Sequence, residues 1–159
     1  MKNNLFIFTL FVQMTFSGLQ NVYAQKSVEV DSTILLVDGL FSPYDSLAPG
    51  DTLKLNPGKK QLLILRNLTG TADKPIIVTN GNGLVDINSN HYFGISVRHC
   101  NHLRITGTGT PSLKYGIRII NIRGSGLSIG DYSTNIETDH IEIGEILYSG
   151  IIAKTEPDC

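Results

Sequence analysis

Short apolar triplets recur along this chain in two interleaved registers, and they constrain its fold more than any other feature. One register reads Ile76-Ile77-Val78, Ile95-Ser96-Val97, Ile117-Arg118-Ile119 and Ile141-Glu142-Ile143. The other reads Leu84-Val85-Asp86, Leu103-Arg104-Ile105, Leu127-Ser128-Ile129 and Ile151-Ile152-Ala153, with closely similar steps from one triplet to the next. Repeats of roughly this kind, carrying short strands and no helix, predict a β-solenoid of stacked coils. In such a fold each coil shares its apolar interior only with the coils above and below, so function rests on side chains that point outward.

Leu103-Arg104-Ile105, Ile117-Arg118-Ile119 and Ile141-Glu142-Ile143 each set one charged residue between two apolar ones. A strand buried on one face and wet on the other wants that pattern. Gly and Pro interrupt the chain too often for a helical apolar period to run far, and the spacers are too short for the helices of a doubly wound α/β fold. An antiparallel sandwich would also accept regular short strands; the matched triplets favour an all-β parallel solenoid. Residues 25–48 read as an N-terminal entry segment and residues 49–159 as the coils. Aligning the Gly-Ile starts at Gly94, Gly116 and Gly150 gives a different coil count, so the register stays open. Asn80, Asn101 and Asn121, almost evenly spaced, are either a stacked amide ladder or three ordinary turn residues.

Met1-Lys2-Asn3-Asn4 precedes an apolar run from Leu5 to Val12, too short for a membrane-spanning helix, and Val22-Tyr23-Ala24 closes the segment. That order fits a secretory signal peptide over residues 1–24 and predicts a secreted or cell-surface protein. The remainder, 25–159, suffices for one domain. Removing the peptide takes one base, Lys2, and no acid, leaving 12 bases against 14 acids and a formal charge of −2. Such a balance leaves no electrostatic footprint for nucleic acid, and no membrane span is expected in the mature chain. Cys100 and Cys159 are too few for a disulfide framework.

Pro49-Gly50-Asp51-Thr52-Leu53-Lys54-Leu55, followed by Gly70 and Lys74-Pro75-Ile76-Ile77-Val78, resembles the first coils of secreted right-handed parallel β-helix proteins of the pectate-lyase-like superfamily. That group includes chondroitinase-B-type and alginate-lyase-type polysaccharide lyases. The likeness continues through Gly94-Ile95-Ser96-Val97 and Asn101-His102-Leu103-Arg104-Ile105-Thr106-Gly107 to Gly150-Ile151-Ile152-Ala153-Lys154-Thr155, over residues 48–159. It implies a secreted bacterial protein of polysaccharide metabolism, with right-handed coils. Its opening motif is specific for architecture and not for a reaction. Such relatives run to several hundred residues, so the expectation is the front part of a longer domain whose C-terminal end is incomplete here.

Gly126-Leu127-Ser128-Ile129-Gly130 matches the G-x-S-x-G pattern, but it lies in a β triplet with no helix to follow, which makes Ser128 an outward strand residue. His99-Cys100-Asn101-His102 lacks the geometry of a metal site, because alternate residues of a strand face apart. The candidates for substrate contact are Arg104, Arg118, Glu142 and Lys154, read as one charged outer row. Arg grips a carboxylate by two hydrogen bonds, as a uronate requires, and Arg118 and Glu142 are expected to stack as neighbours. Lys154, in a family-like block, is the candidate base, since a lyase removes the proton alpha to a neutralised carboxylate. The alternative is a set of solvated charges in weak cross-strand pairs. No cofactor is evident; the resemblance admits Ca²⁺ in a full-length protein, bridging acids to the sugar. Tyr92, Phe93, Tyr115, Tyr132 and Tyr148 flank the triplets and could stack on sugar rings. Three readings stand: a protein acting on extracellular polysaccharide and lyase-like at full length, a non-catalytic adhesive β-helix binding glycan, or an inactive fragment. A monomer is expected.

Overall fold

The computed structural model describes residues 24–154, and all fourteen elements among those residues are strands. Sheet A stacks β1 (Ser27–Val30), β3 (Thr52–Leu55), β6 (Ile76–Asn80), β9 (Asn101–Thr106) and β12 (Thr134–Asp139). Sheet C stacks β4 (Gly58–Lys60), β7 (Val85–Asn88), β10 (Ile117–Ile120) and β13 (Ile141–Ile143). Sheet B stacks β2 (Leu36–Asp38), β5 (Leu63–Arg66), β8 (Phe93–Arg98), β11 (Ser125–Gly130) and β14 (Ser149–Ala153). Every pairing is parallel. The chain therefore winds from A to C to B in each turn, and the protein is an all-β parallel β-helix. Among the described residues no helix is long and apolar enough to cross a membrane. The expected signal peptide, except Ala24, and Cys159 lie outside the described residues.

The coils are longer than the triplet spacing suggests. Ser27 pairs with Thr52, Thr52 with Ile77, Ile76 with Leu103 and Leu103 with Ile136, so each sheet A repeat outruns the triplet step and the last is the longest. Of the first triplet register, Ile76 lies in sheet A, Ile95 in sheet B, and only Ile117 and Ile141 share sheet C. Three look-alike strands make one coil, so the step from Ile76 to Ile95 covers two strands of the three. Within the two registers only Ile117 to Ile141 and Leu127 to Ile151 are full turns. The expected entry segment already contributes β1 and β2 to sheets A and B.

Strand alternation builds the core as columns of like residues. Leu53, Val78 and Ile105 line up in sheet A, Leu63, Ile95 and Leu127 in sheet B, and Val85, Ile117 and Ile141 in sheet C. All of them except Ile141 are fully buried, and burying such a side chain contributes about 1.5–3 kcal/mol. A second sheet C column reads Lys60, Ile87, Ile119, Ile143. Lys60 heads it because β4 is the edge of that sheet, the first coil crossing the same face without a strand. Its ammonium donates to the carbonyls of Asp31, Ser32 and Ile34 at 3.1, 2.8 and 2.6 Å, so the lysine plugs the end of the core.

The corners rest on residues that tolerate a left-handed backbone. Asn67, His99 and Asp131 leave sheet B on successive coils with φ of 54°, 49° and 49°. The Pro49-Gly50 turn has Gly50 at φ 93° and closes with Asp51 N–H on the Ala48 carbonyl at 3.0 Å. Asp51 is buried there, its carboxylate accepting from the amides of Lys26 and Ala48, both at 2.9 Å. The opening motif is thus the joint between the first two coils. Asn80, Asn101 and Asn121 do not form a ladder, since Asn121 follows sheet C and the other two lie in sheet A. Asn121 instead donates to Asn88 at 2.9 Å and Asn135 to Asn101 at 3.0 Å, pairs set by the true coil length.

Candidate functional site

Three flat outer faces result, and the four candidate contact residues fall on all three. Arg104 lies on sheet A, Arg118 and Glu142 on sheet C, and Lys154 just beyond β14 on sheet B. Arg118 and Glu142 are register neighbours, as their spacing implies. They belong to an alternating column, Lys59, Asp86, Arg118, Glu142, in which each charge has an opposite charge beside it. Arg118 Nε reaches Asp86 Oδ1 at 3.1 Å. Sheet C is therefore self-compensated.

On sheet A, Arg104 is held by two acids of the next coil. Its Nη2 lies 2.8 Å from Asp139 Oδ2 and its Nε 3.3 Å from Glu137 Oε1. Asp139 also accepts from Thr106 and sits 2.6 Å from His140 Nδ1. Burial alone would push the Asp139 carboxyl up, but hydrogen bonds from Thr106, His140 and Arg104 outweigh it and hold the group below its usual range. Other outward acids are paired too: Glu137 with Arg104, Asp86 with Arg118, and Asp131 with Arg98. Among the described residues no group of three or more His, Cys, Asp and Glu could hold a metal ion.

Sheet B carries a groove of ≈ 240 Å³ along β11. Small residues make its floor, because Ser96, Ser128 and Gly130 are the outward positions there. Nothing but the Lys154 carbonyl, at 3.6 Å, would meet a Cβ at Gly130, so this glycine leaves the groove open. Arg98 and Lys154 stand on the coils either side of Gly130, with backbones about 10 Å apart at two strand spacings. Arg98 is aimed by its neighbours: Nε donates to Ser96 Oγ at 3.1 Å and Nη1 lies 3.6 Å from Asp131 Oδ2. Its side chain is still 39% exposed, enough to meet a ligand. Tyr92, 65% exposed, closes the opposite end of the groove, and Ile152 lines one wall. The result is an open trough with cations at one end, hydroxyls along the floor and an aromatic ring at the other end.

Ser128 is an outward strand residue with β structure on both sides, as its context predicts. Cys100 is buried against the carbonyls of Leu65 and Arg98, and burial pushes its thiol up to about 11. No family model matches the chain, and neither a curated protein nor a solved structure matches it. Of the four sequence candidates only Lys154 lines this groove. Arg98, Ser96 and Ser128 escape a triplet-based reading because they align only once Ile95 is known to lie against Leu127, one full coil on.

Proposed function

We propose that this is a secreted β-helix protein that binds an acidic extracellular polysaccharide in the sheet B groove. The observation that carries the reading is Arg98, braced by Ser96 and Asp131 beside the gap at Gly130, with a second cation across it. A carboxylate on a sugar would sit against the Arg98 guanidinium, with a ring hydroxyl on Ser128 and an apolar sugar face on Tyr92. A lyase-like activity is a second reading, favoured by the placement of Lys154, an amine, on the same groove as an arginine able to neutralise a carboxylate. A purely adhesive role needs only the binding.

The test is a titration of polygalacturonate, alginate and chondroitin sulfate against the protein, with neutral dextran as control and unsaturated product followed by absorbance. An acidic polymer binds, more weakly as salt rises, and dextran does not. Arg98→Ala weakens that binding about tenfold, the low end of what a charge-assisted hydrogen bond contributes given the exposure of Arg98. Equal binding by the variant, or no binding of any acidic polymer, refutes the proposal.

A further inference from the structure

The corner that leads from sheet B to sheet A has one length in two successive coils and is a residue longer in the next. Arg66, Arg98 and Gly130 are in register on sheet B, and Thr69, Asn101 and Thr134 are in register where sheet A begins. Between those positions lie Asn67 and Leu68 in one coil, His99 and Cys100 in the second, and Asp131, Tyr132 and Ser133 in the third. Ser133 takes the buried place that Leu68 and Cys100 hold on the coils before it, and its hydroxyl accepts from Cys100 N–H at 3.2 Å. Asp131 repeats the left-handed first residue of the corner, and its carbonyl accepts from His99 N–H at 2.9 Å. Tyr132 is therefore the added residue. It is pushed outward, 61% exposed, with φ of 61°. A bulky L side chain rarely adopts that backbone, and strain of this kind gathers where a protein holds a ligand. The two shorter corners close the same gap without such a residue, so closure of the coil does not require it. Its ring stacks on His99 of the coil before, with centroids 6.0 Å apart. Asp131, just ahead of it, lines the sheet B groove and pairs with Arg98.

We infer that Tyr132, seated on His99, is a second sugar-stacking platform at the cation end of the sheet B groove, so that the groove holds a stretch of glycan several sugars long. The inference rests on the acidic-glycan reading of that groove. Tyr92 comes just before Phe93, the partner of Ser125 at the start of β11, and Tyr132 comes two residues after Gly130 at its end. The two exposed rings therefore bracket the whole strand. Its six residues rise about 20 Å, which is farther than one or two linked sugars reach. A glycan that touches both rings crosses Ser128 and the Arg98 guanidinium on the way. An aromatic ring with one polar tip suits the apolar face of a sugar whose edge carries hydroxyls. The acidic sugar then sits between two stacked ones, and Tyr132 sets the length of chain the groove selects.

The experiment is calorimetric titration of the protein with the trimer and octamer of galacturonate and of mannuronate, and with the disaccharide and octasaccharide of chondroitin sulfate. For at least one of the three series the octamer binds more tightly than the short form. Tyr132→Asn suits the left-handed backbone better than tyrosine does, so it leaves thermal stability unchanged or higher. It nevertheless weakens the octamer roughly threefold to tenfold, the worth of one aromatic contact, and Tyr132→Ala weakens it similarly. Tyr115→Ala, an exposed tyrosine in the loop between β9 and β10, leaves the affinity unchanged. Binding that depends on Arg98 but is equal in both Tyr132 variants, or no gain from short form to octamer in any series, overturns this inference and spares the reading beneath it. A Tyr132→Asn protein that loses stability and keeps its affinity assigns the ring to the corner alone and overturns it as well. Failure of every acidic octamer to bind overturns both.

Discussion

Lys60 gives the sharpest test of how the solenoid is closed at its first coil. It occupies an inward position above Ile87, is 3% exposed, and holds three carbonyls of the crossing segment through one ammonium. Lys60→Met keeps most of the apolar stem and removes the charge. Each hydrogen bond to a charged group contributes about 1.5–3 kcal/mol, but relief of the ammonium's desolvation, several kcal/mol, works the other way. Ser32 is half-buried and Asp31 and Ile34 are exposed, so water recovers part of the rest. The expected net loss is about 1–3 kcal/mol. Lys60→Ala also strips about three buried methylenes and is expected to lose about 3–5 kcal/mol. Both are read as a shift in the urea midpoint at constant slope. Burial pushes the Lys60 ammonium below its ordinary 10.5, with Asp31 pulling partly back. Below 10.5 the unfolded chain keeps the proton after the folded one has released it, so wild-type stability rises with pH between the lowered value and 10.5. Lys60→Met lacks this term, and the gap between the two widens over that window. A Lys60→Met protein as stable as the wild type at neutral pH refutes the plug.

Gly94→Ala sets a Cβ 2.3 Å from Ile119 Cγ2 and 2.8 Å from the Gly126 carbonyl, and should cost about 1–3 kcal/mol in urea unfolding. Gly130→Ala, in the open groove, should leave the midpoint unchanged, and equal losses at the two positions would contradict the packing described. Asp139→Asn removes a carboxylate held below its usual 3.8, whose stabilisation is complete above 3.8 and is lost as pH falls through the lower folded value. Midpoints followed from about pH 5 to about pH 2 should therefore fall less steeply in Asp139→Asn than in the wild type.

Inward and outward positions were legible in the sequence because each strand is short and strictly alternating: Leu103-Arg104-Ile105 points as its pattern says. Coil length was not legible, because β6, β7 and β8 are chemically alike and nothing local tells the face a strand belongs to. Arg104, Arg118 and Lys154 were each recognised as outward, yet a shared face depends on the length of each coil, which the long turns vary. The same ambiguity hid Arg98. Its value lies in Gly130, one coil on, being a glycine. Lys60 was hidden for the opposite reason, since a lysine at the end of a turn-flanked strand reads as solvated until the missing sheet C strand of the first coil is seen. The Pro49-Gly50-Asp51 joint was visible as a turn, while the two backbone amides that Asp51 caps come from tertiary contact.

The three outer faces carry different chemistry, and chemical-shift mapping with a short acidic oligosaccharide tests that division most directly. Amides of Ser96, Arg98, Ser128 and Gly130 on sheet B should move together along one binding curve, while those of Asp86, Arg118 and Glu142 on sheet C stay still. Shifts centred on sheet C, or none at all, would contradict it.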